Sequence, residues 1–180
     1  MLITVDGLVI SRRNYSDTSC YIGILTKEFG VVETLAKGVR RLNSPLSQAT
    51  GLFAHSEFCF NKNSNLNYTI NSAKCKHSFH ELSADLRGLA LAAYFAELVR
   101  YTQPPEQSSG NVLKLLLIAL TELEHGVLPC EVKVKFEFGL ICELGFAYSG
   151  LEHATPRECE EFLLEQFGKG FKTLNYYKSL

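Results

Sequence analysis

Apolar and polar positions alternate over several short stretches in the first eighty residues of the chain. The first stretch, Leu2–Ile10, is rich in β-branched residues, and its Gly7 predicts a bulge or a sharp bend in a strand. A loop that closes on Gly30 and a polar turn at Asn61–Asn65 indicate tight connections. The pattern predicts a small, closed or nearly closed five-stranded barrel, with its other strands at Ser19–Thr26, Val31–Lys37, Phe53–Phe60 and Leu66–Ala73.

The following hundred residues favour helices. Thr155, Pro156 and Glu158 have the spacing of a capping box, in which threonine is the N-cap, proline takes the first helical position and glutamate closes the box. That helix is expected to stop at Gly168. Good helix formers and apolar positions at helical spacing predict helices at Ser83–Tyr101, Val112–Glu124, Pro156–Phe167 and, as a last turn or two, Phe171–Leu180.

Residues 131–145 allow two interpretations. Apolar residues alternate with charged ones from Val132 to Phe138, a period of two that favours a strand. The end of the segment, Leu144–Gly145, is typical of a helix closed by a glycine. We interpret the segment as a helix, although its periodicity on its own predicts a strand.

Composition excludes several classes of protein. With 46% hydrophobic and 21% charged residues over 180 positions, the chain is neither disordered nor of low complexity. Its longest apolar runs, Leu89–Ala96 and Leu115–Leu120, are far shorter than the ~20 residues that span a bilayer. The N-terminus lacks the basic start of a signal peptide. We therefore expect a cytoplasmic protein without a membrane partner.

The sequence contains none of the common catalytic motifs. The phosphate-binding loop, the nucleophile elbow, the His-Glu-x-x-His motif and the dinucleotide-binding glycine pattern are all absent. The six cysteines include no Cys-x-x-Cys pair, so we expect free thiols rather than a zinc ribbon or disulfides. Cys75, His77 and His80 have the spacing of three metal ligands, as in a metal-dependent nuclease, but they also fit a polar linker. We expect no enzyme activity, no cofactor and no metal.

Charge is distributed unevenly along the chain. Nine basic and five acidic residues give the first eighty residues a net charge of +4, whereas the remaining hundred carry −5. Five cations lie just past the first and third predicted strands: Arg12, Arg13, Lys37, Arg40 and Arg41. Because loops after these strands project from a small barrel, the five cations would form a positive track for a phosphate backbone.

Aromatic residues extend this hypothesis. Tyr15 follows the first pair of arginines, and an exposed tyrosine there would add roughly 1–3 kcal/mol of stacking per base. Tyr21 lies within a predicted strand, and we interpret it as a core residue rather than a stacking platform. Five phenylalanines of the second half pack in a core or, alternatively, line a groove for a partner's tail: Phe136, Phe138, Phe146, Phe162 and Phe167.

Several segments resemble the family of the bacterial recombination mediator RecO. The most specific is the Ala-Lys-Gly-Val-Arg-Arg block at Ala36–Arg41. The resemblance covers nearly the whole chain and favours the helical interpretation of residues 131–145. Its segments are Met1–Tyr15, Leu25–Gly30, Leu35–Arg41, Leu91–Leu98, Phe136–Phe146 and Phe171–Leu174.

The resemblance implies an α+β protein, with a five-stranded OB-fold barrel over residues 1–78 that binds DNA and an all-helical domain over residues 79–180 that binds partners. It implies a mediator of DNA repair and recombination that binds single- and double-stranded DNA and anneals complementary strands. Such a protein would assist RecA loading on SSB-coated DNA together with RecR. The implied partners are RecR, the C-terminal tail of SSB and, as a further candidate, RecF. The implied location is cytoplasmic and nucleoid-associated.

The sequence departs from the family pattern in two ways. Many members carry a four-cysteine zinc module after the Leu-Gly-Phe turn, whereas Ala147–Thr155 lead straight into the next helix here, so we expect no zinc. The Lys-Ser pair that usually follows the arginine block is Asn43-Ser44, which removes one cation and predicts weaker DNA binding or reliance on RecR. An alternative function is therefore an adaptor that mainly docks the SSB tail and RecR, with weak DNA binding.

Overall fold

The structure is a computed structural model that describes residues 2–62, 68–146, 155–167 and 170–180. Four sequence predictions lie wholly or partly outside these ranges: the polar turn Asn61–Asn65, the start of the fifth strand at Leu66, the segment Ala147–Thr155 and the helix stop at Gly168. None of the helices in the described ranges combines the length and the hydrophobicity that crossing a bilayer requires.

The fold class is α+β, as predicted, with strands in the first part of the described chain and helices in the second. The strands are β1 (Leu2–Asn14), β2 (Cys20–Thr26), β3 (Gly30–Ala36), β4 (His55–Lys62) and β5 (Tyr68–His77). A short 3-10 helix at His80–Ala84 precedes the α-helices. These are α1 (Leu86–Thr102), α2 (Gly110–Glu124), α3 (Pro129–Glu143), α4 (Pro156–Phe167) and α5 (Lys172–Ser179).

The five strands form a closed barrel in the order β1-β2-β3-β5-β4. Neighbouring strands are antiparallel, except that β3 and β5 run parallel. The long strand β1 closes the barrel because its first half pairs with β4 and its second half pairs with β2. A five-stranded barrel with a long connection after its third strand is the OB-fold architecture that the resemblance implied.

The barrel core consists of side chains that point inward from all five strands. The rings of Phe58 and Phe60 lie parallel, with their centroids 5.8 Å apart. Val39, which follows β3, also belongs to this core and anchors the start of the long connection between β3 and β4. Further members of the core are Val5, Val9, Ile22, Ile24, Val32, Tyr68 and Ile70.

The irregularity in β1 lies at a different residue from the predicted one. The register between β1 and β2 shifts between Val9 and Ser11, so the bulge is not at Gly7. A Cβ atom on Gly7 would lie 2.7 Å from Cγ2 of Ile24, so glycine is needed there because β1 and β2 approach closely. The predicted bulge at Gly7 is therefore wrong, and the alternative of a sharp bend there stays a prediction.

The β2–β3 hairpin closes as predicted. Gly30 has a φ of +62°, and the hydroxyl of Thr26 donates to the carbonyl of Gly30 at 2.9 Å. The connection from α1 to α2, residues 103–109, packs on this hairpin. The backbone N–H of Ser109 donates to the carbonyl of Lys27 at 3.0 Å, and that of Glu106 donates to the carbonyl of Phe29 at 2.9 Å. This packing makes the connection part of the barrel unit.

The chain divides into two compact units, residues 1–80 with 103–113 and residues 81–102 with 114–180. In the second unit, α1 supplies the central helix. The ring of Phe95 stacks on Phe136 of α3, with centroids 4.0 Å apart, and Tyr94 meets Phe171, just before α5, edge-on. The carboxylate of Glu97 accepts a hydrogen bond from the backbone N–H of Thr173 at the start of α5. The domain boundary at residue 78 stays a prediction.

The interpretation of residues 131–145 as a helix is confirmed, because most of this segment lies in α3, whereas its strand-like period is misleading. Its buried residues recur at helical spacing, with Val132, Phe136 and Leu140 on one stripe. Lys133 and Glu137 are also buried and bond to each other at 2.9 Å. Charged residues are usually exposed, so Lys133 and Glu137 were counted as polar surface positions. This count produced the alternation that is typical of a strand.

The predicted capping box is present at the start of α4. The backbone N–H and the hydroxyl of Thr155 both donate to Glu158, at 2.6 and 2.9 Å. These bonds hold the pKa of the fully exposed Glu158 below its ordinary value. The local sequence signal was sufficient here because every group of a capping box lies within four residues.

Candidate nucleic-acid interface

Arg12 and Arg13 lie near the C-terminal end of β1. The sequence predicted them in a loop after this strand, and that position is wrong. They pair across the sheet with Ile22 and Tyr21 of β2. Both arginine side chains are exposed. The strand continues past Ile10 because the bulge after Val9 realigns the two strands and lets the pairing extend to Asn14.

Lys37, Arg40 and Arg41 lie in the turn that follows β3, as predicted, and all three are exposed. Gly38, with a φ of +68°, permits the change of direction, and the backbone N–H of Arg41 donates to the carbonyl of Gly38 at 3.1 Å. Val39 is buried between the cations. The turn is thus fixed to the barrel core while its charged side chains remain in solvent.

Hydrogen bonds join this turn to the connection between β1 and β2. The backbone N–H of Arg40 donates to the carbonyl of Thr18 at 3.0 Å, and its guanidinium donates to the carbonyl of Ser16 at 2.8 Å. The N–H of Gly38 reaches the hydroxyl of Ser19 at 3.4 Å. Segments distant in sequence therefore lie side by side: the turn that carries Lys37, Arg40 and Arg41, and the connection that follows Arg12 and Arg13. Together these segments carry or adjoin five exposed cations. We call this set the cationic surface: Arg12, Arg13, Lys37, Arg40 and Arg41.

The cationic surface carries a net positive charge that carboxylates do not cancel. Across the described parts of the chain, none of its five side chains forms an ion pair within 4.0 Å. In the sequence of residues 12–18 and 37–48, Asp17 is the single acidic residue. Phosphates that reach this surface would therefore meet cations that have not already been neutralised.

Tyr15 and Tyr21 lie beside the cationic surface and contact each other edge-on, with ring centroids 4.7 Å apart. The guanidinium of Arg13 lies over the ring of Tyr21, 5.2 Å from its centroid. Tyr21 was expected in the core, but it is the only partly exposed residue of β2 within a strand whose other residues are buried. It faces outward because its neighbours Cys20 and Ile22 fill the inward positions.

Sequence reasoning did not single out Leu42, which follows Arg41 directly and is 94% exposed. The sequence did contain a signal for an exposed apolar side chain, because Leu42 lies between two arginines and the polar pair Asn43-Ser44.

A second charged cluster on the barrel is paired internally. The carboxylate of Asp6 lies 3.0 Å from Nε2 of His55 and accepts a hydrogen bond from the ammonium of Lys76 at 2.6 Å. Burial on its own would raise the pKa of Asp6, but the bonds from Lys76 and His55 outweigh it and hold the pKa below its ordinary value. This cluster stabilises strand pairing and offers little free charge to a ligand.

The alternative metal cluster is not assembled. Among the described residues, no three histidine, cysteine or acidic side chains lie where they could share a metal ion. The ring of His77 packs edge-on against Phe79 at 4.4 Å, and Nδ1 of His80 lies 3.1 Å from the hydroxyl of Ser78. Cys75, His77 and His80 therefore do not form a metal site, and the two histidines contact neighbouring side chains instead.

Comparisons with known proteins agree with this architecture. A family model described as "Recombination protein O N terminal" matches residues 1–79, and one described as "Recombination protein O C terminal" matches residues 83–154. Curated proteins named DNA repair protein RecO are similar to the chain: it is 35% identical to that of Caldicellulosiruptor bescii, 33% to that of Alkaliphilus metalliredigens and 28% to that of Bacillus subtilis.

These alignments cover 81%, 84% and 85% of the chain, but 59%, 60% and 59% of the three relatives. The chain thus spans about three fifths of the length of the curated relatives that it matches.

Proposed function

The chain belongs to the recombination protein O family, and we propose on that premise that it acts in DNA repair by binding DNA through its barrel. The observation that supports this proposal is the cationic surface, whose five side chains are exposed and, in the described residues, form no ion pairs. Cations on a rigid barrel contact phosphates without reading the bases, so both single- and double-stranded DNA are substrates for this surface.

We propose that the same surface promotes annealing of complementary strands. Neutralised phosphates repel each other less, so two strands held at one cationic surface can approach and pair. This role needs no bond-making chemistry, and we therefore propose a mediator rather than an enzyme. A DNA-binding protein of this kind would associate with the nucleoid.

The partner interactions that the family suggests are part of the proposal. We propose that the helical unit binds RecR and the C-terminal tail of SSB, and that the complex assists RecA loading on SSB-coated DNA, with RecF as a further candidate partner. The support is family membership, together with the net charge of −5 over residues 81–180, which makes the second half a poor DNA-binding surface. An adaptor with weak DNA binding remains the alternative, and the binding experiment below separates the two.

The direct test is a binding titration of a fluorescent single-stranded oligonucleotide over a series of salt concentrations. If each of the five cations neutralises one phosphate, log affinity falls with log salt with a slope of about −3.5 for the wild type. Changing Arg40 and Arg41 to glutamate should weaken binding severely and reduce the slope to about −2 or less. An adaptor would bind an SSB-tail peptide tightly and DNA negligibly.

Two further variants control for charge and for stability. Lys114→Glu with Lys172→Glu makes the same change in net charge on exposed positions of the helical part, and it should bind like the wild type. Lys37→Glu with Arg41→Glu leaves the hydrogen bond from Arg40 to Ser16 in place and should still lose affinity. Equal binding by the wild type and both cationic-surface variants would refute the proposal.

A further inference from the structure

Leu42 is almost fully solvated, and its position distinguishes it from other exposed leucines. Single exposed apolar residues are ordinary on protein surfaces. Leu42, however, directly follows two arginines of the cationic surface, and Asn43 after it has a φ of +60°. The side chain of Leu42 is 94% exposed, so packing within the protein does not explain an apolar residue at this position.

The backbone around Leu42 is held on both sides. The N–H of Arg41 donates to the carbonyl of Gly38, and the N–H of Ser44 donates to the carbonyl of Arg41, each at 3.1 Å. The burial of Val39 fixes the start of the same turn. Because the backbone of this turn is already held, it loses little conformational freedom when Leu42 contacts a ligand, which favours binding.

Tyr15 provides a second group that can contact bases. It is 59% exposed and contacts Tyr21. The neighbouring residues Ser16 and Thr18 accept the hydrogen bonds from Arg40, so Tyr15 and Leu42 are carried by two segments that are bonded to each other. Exposed cations, an aromatic ring and an apolar side chain are thus carried by segments that hydrogen bonds hold together.

We propose that Leu42 inserts between neighbouring bases of single-stranded DNA bound at the cationic surface, while Tyr15 stacks on an adjacent base. This inference rests on the proposed function and specifies how the strand is held. Apolar side chains that enter base steps unstack them, and aromatic rings then replace part of the lost stacking. The bound strand would present unstacked bases, which are available to pair with a complementary strand.

The proposal has a consequence for sequence preference. Phosphate contacts alone are indifferent to the bases. An inserted Leu42 side chain must separate two stacked bases, and adenines stack on one another more strongly than thymines do. The protein should therefore bind oligo-dT more tightly than oligo-dA at the same salt concentration, and this preference should depend on Leu42.

The test uses oligonucleotides in which 2-aminopurine, whose emission is quenched by stacking, lies between adenines. Saturating wild-type protein should raise the emission by about twofold or more as the base steps open. Leu42→Ala should lose most of this rise and of the preference for oligo-dT, with an unchanged salt slope because no charge is altered. Leu52→Ala is the matched control, because Leu52 is 45% exposed in the same β3–β4 connection. It should behave like the wild type.

The outcomes separate the two proposals. If Leu42→Ala binds DNA with wild-type emission and wild-type base preference, insertion of Leu42 between bases is refuted, whereas DNA binding by the cationic surface is not. The same result is expected if Leu42 contacts a partner protein instead. If the wild type fails to bind DNA at low salt, both proposals fall. Thermal melting of Leu42→Ala should match the wild type, because the side chain has no core contacts to lose.

Discussion

At the scale of single residues, the barrel's charged side chains differ in whether they have partners. Asp6, His55 and Lys76 form a paired cluster, whereas the cations of the turn after β3 remain in solvent. The sequence shows charges of both kinds but not this difference, because pairing depends on strand register. Asp6 reaches Lys76 only because β4 lies between β1 and β5 in the closed barrel.

The pairing of Asp6 predicts a pH-dependent contribution to stability. Because the folded-state pKa of Asp6 is lower than its ordinary value, the stabilisation is present above pH ~4 and is lost as the pH falls through the folded-state pKa. Asp6→Asn should lower the free energy of unfolding by about 0.5–1 kcal/mol at pH 6, a modest value because the cluster is partly exposed.

Urea unfolding of the wild type and of Asp6→Asn at pH 6 and pH 3 measures this contribution. The difference between the two proteins should shrink at the lower pH. Asp17→Asn provides the comparison, since Asp17 is exposed in the β1–β2 connection, and it should leave stability unchanged at both pH values. A difference for Asp6→Asn that grows at pH 3 would contradict the assignment.

At the scale of the elements, α3 shows where hydrophobic periodicity on its own predicts the wrong element, and α4 shows where a local sequence signal is sufficient. The capping box of α4 is a local signal, and both its residues and the helix bounds agree with the prediction. In α3 the helical period of the buried positions is not visible in the sequence, because two of these positions are the charged residues Lys133 and Glu137. Partners on other helices make their burial possible. Tyr94 of α1 donates to Glu137 at 2.7 Å, and Lys133 donates to Glu160 of α4 at 2.9 Å. Such partners are invisible in a local window of sequence.

The buried pair predicts a large and non-additive mutational effect. Lys133→Met should destabilise the protein by about 3–5 kcal/mol, because it leaves the buried Glu137 carboxylate without its cation. Combining it with Glu137→Gln, which keeps an acceptor for Tyr94, should restore much of that loss.

Denaturant unfolding of the single and double variants measures the coupling. Lys135→Met is the matched control on the same helix, since Lys135 is exposed and pairs with Glu122 at the surface; it should cost about 1 kcal/mol or less. A loss for Lys133→Met as small as that of Lys135→Met would show that the pair is not buried in solution.

At the scale of the whole molecule, periodicity and turn residues were enough to predict a five-stranded barrel followed by helices, and the family resemblance identified its OB type. The assignment of residues 103–113 to the barrel unit was not predictable, since it depends on contacts with a hairpin more than seventy residues earlier in the chain. The five candidate cations could be chosen from the sequence, but the hydrogen bonds of Arg40, which hold the turn after β3 against the connection between β1 and β2, could not be predicted from it.

We propose that the cationic surface holds DNA strands by their phosphates and so promotes their pairing. The most direct measurement is the annealing rate of complementary oligonucleotides over a salt series, compared among the wild type, Arg40→Glu with Arg41→Glu, and Lys114→Glu with Lys172→Glu. We expect the wild type and the helical-part control to accelerate annealing, less so as salt rises, and the Arg40 and Arg41 variant not to accelerate it. Annealing by that variant at the wild-type rate would show that the cationic surface does not promote strand pairing.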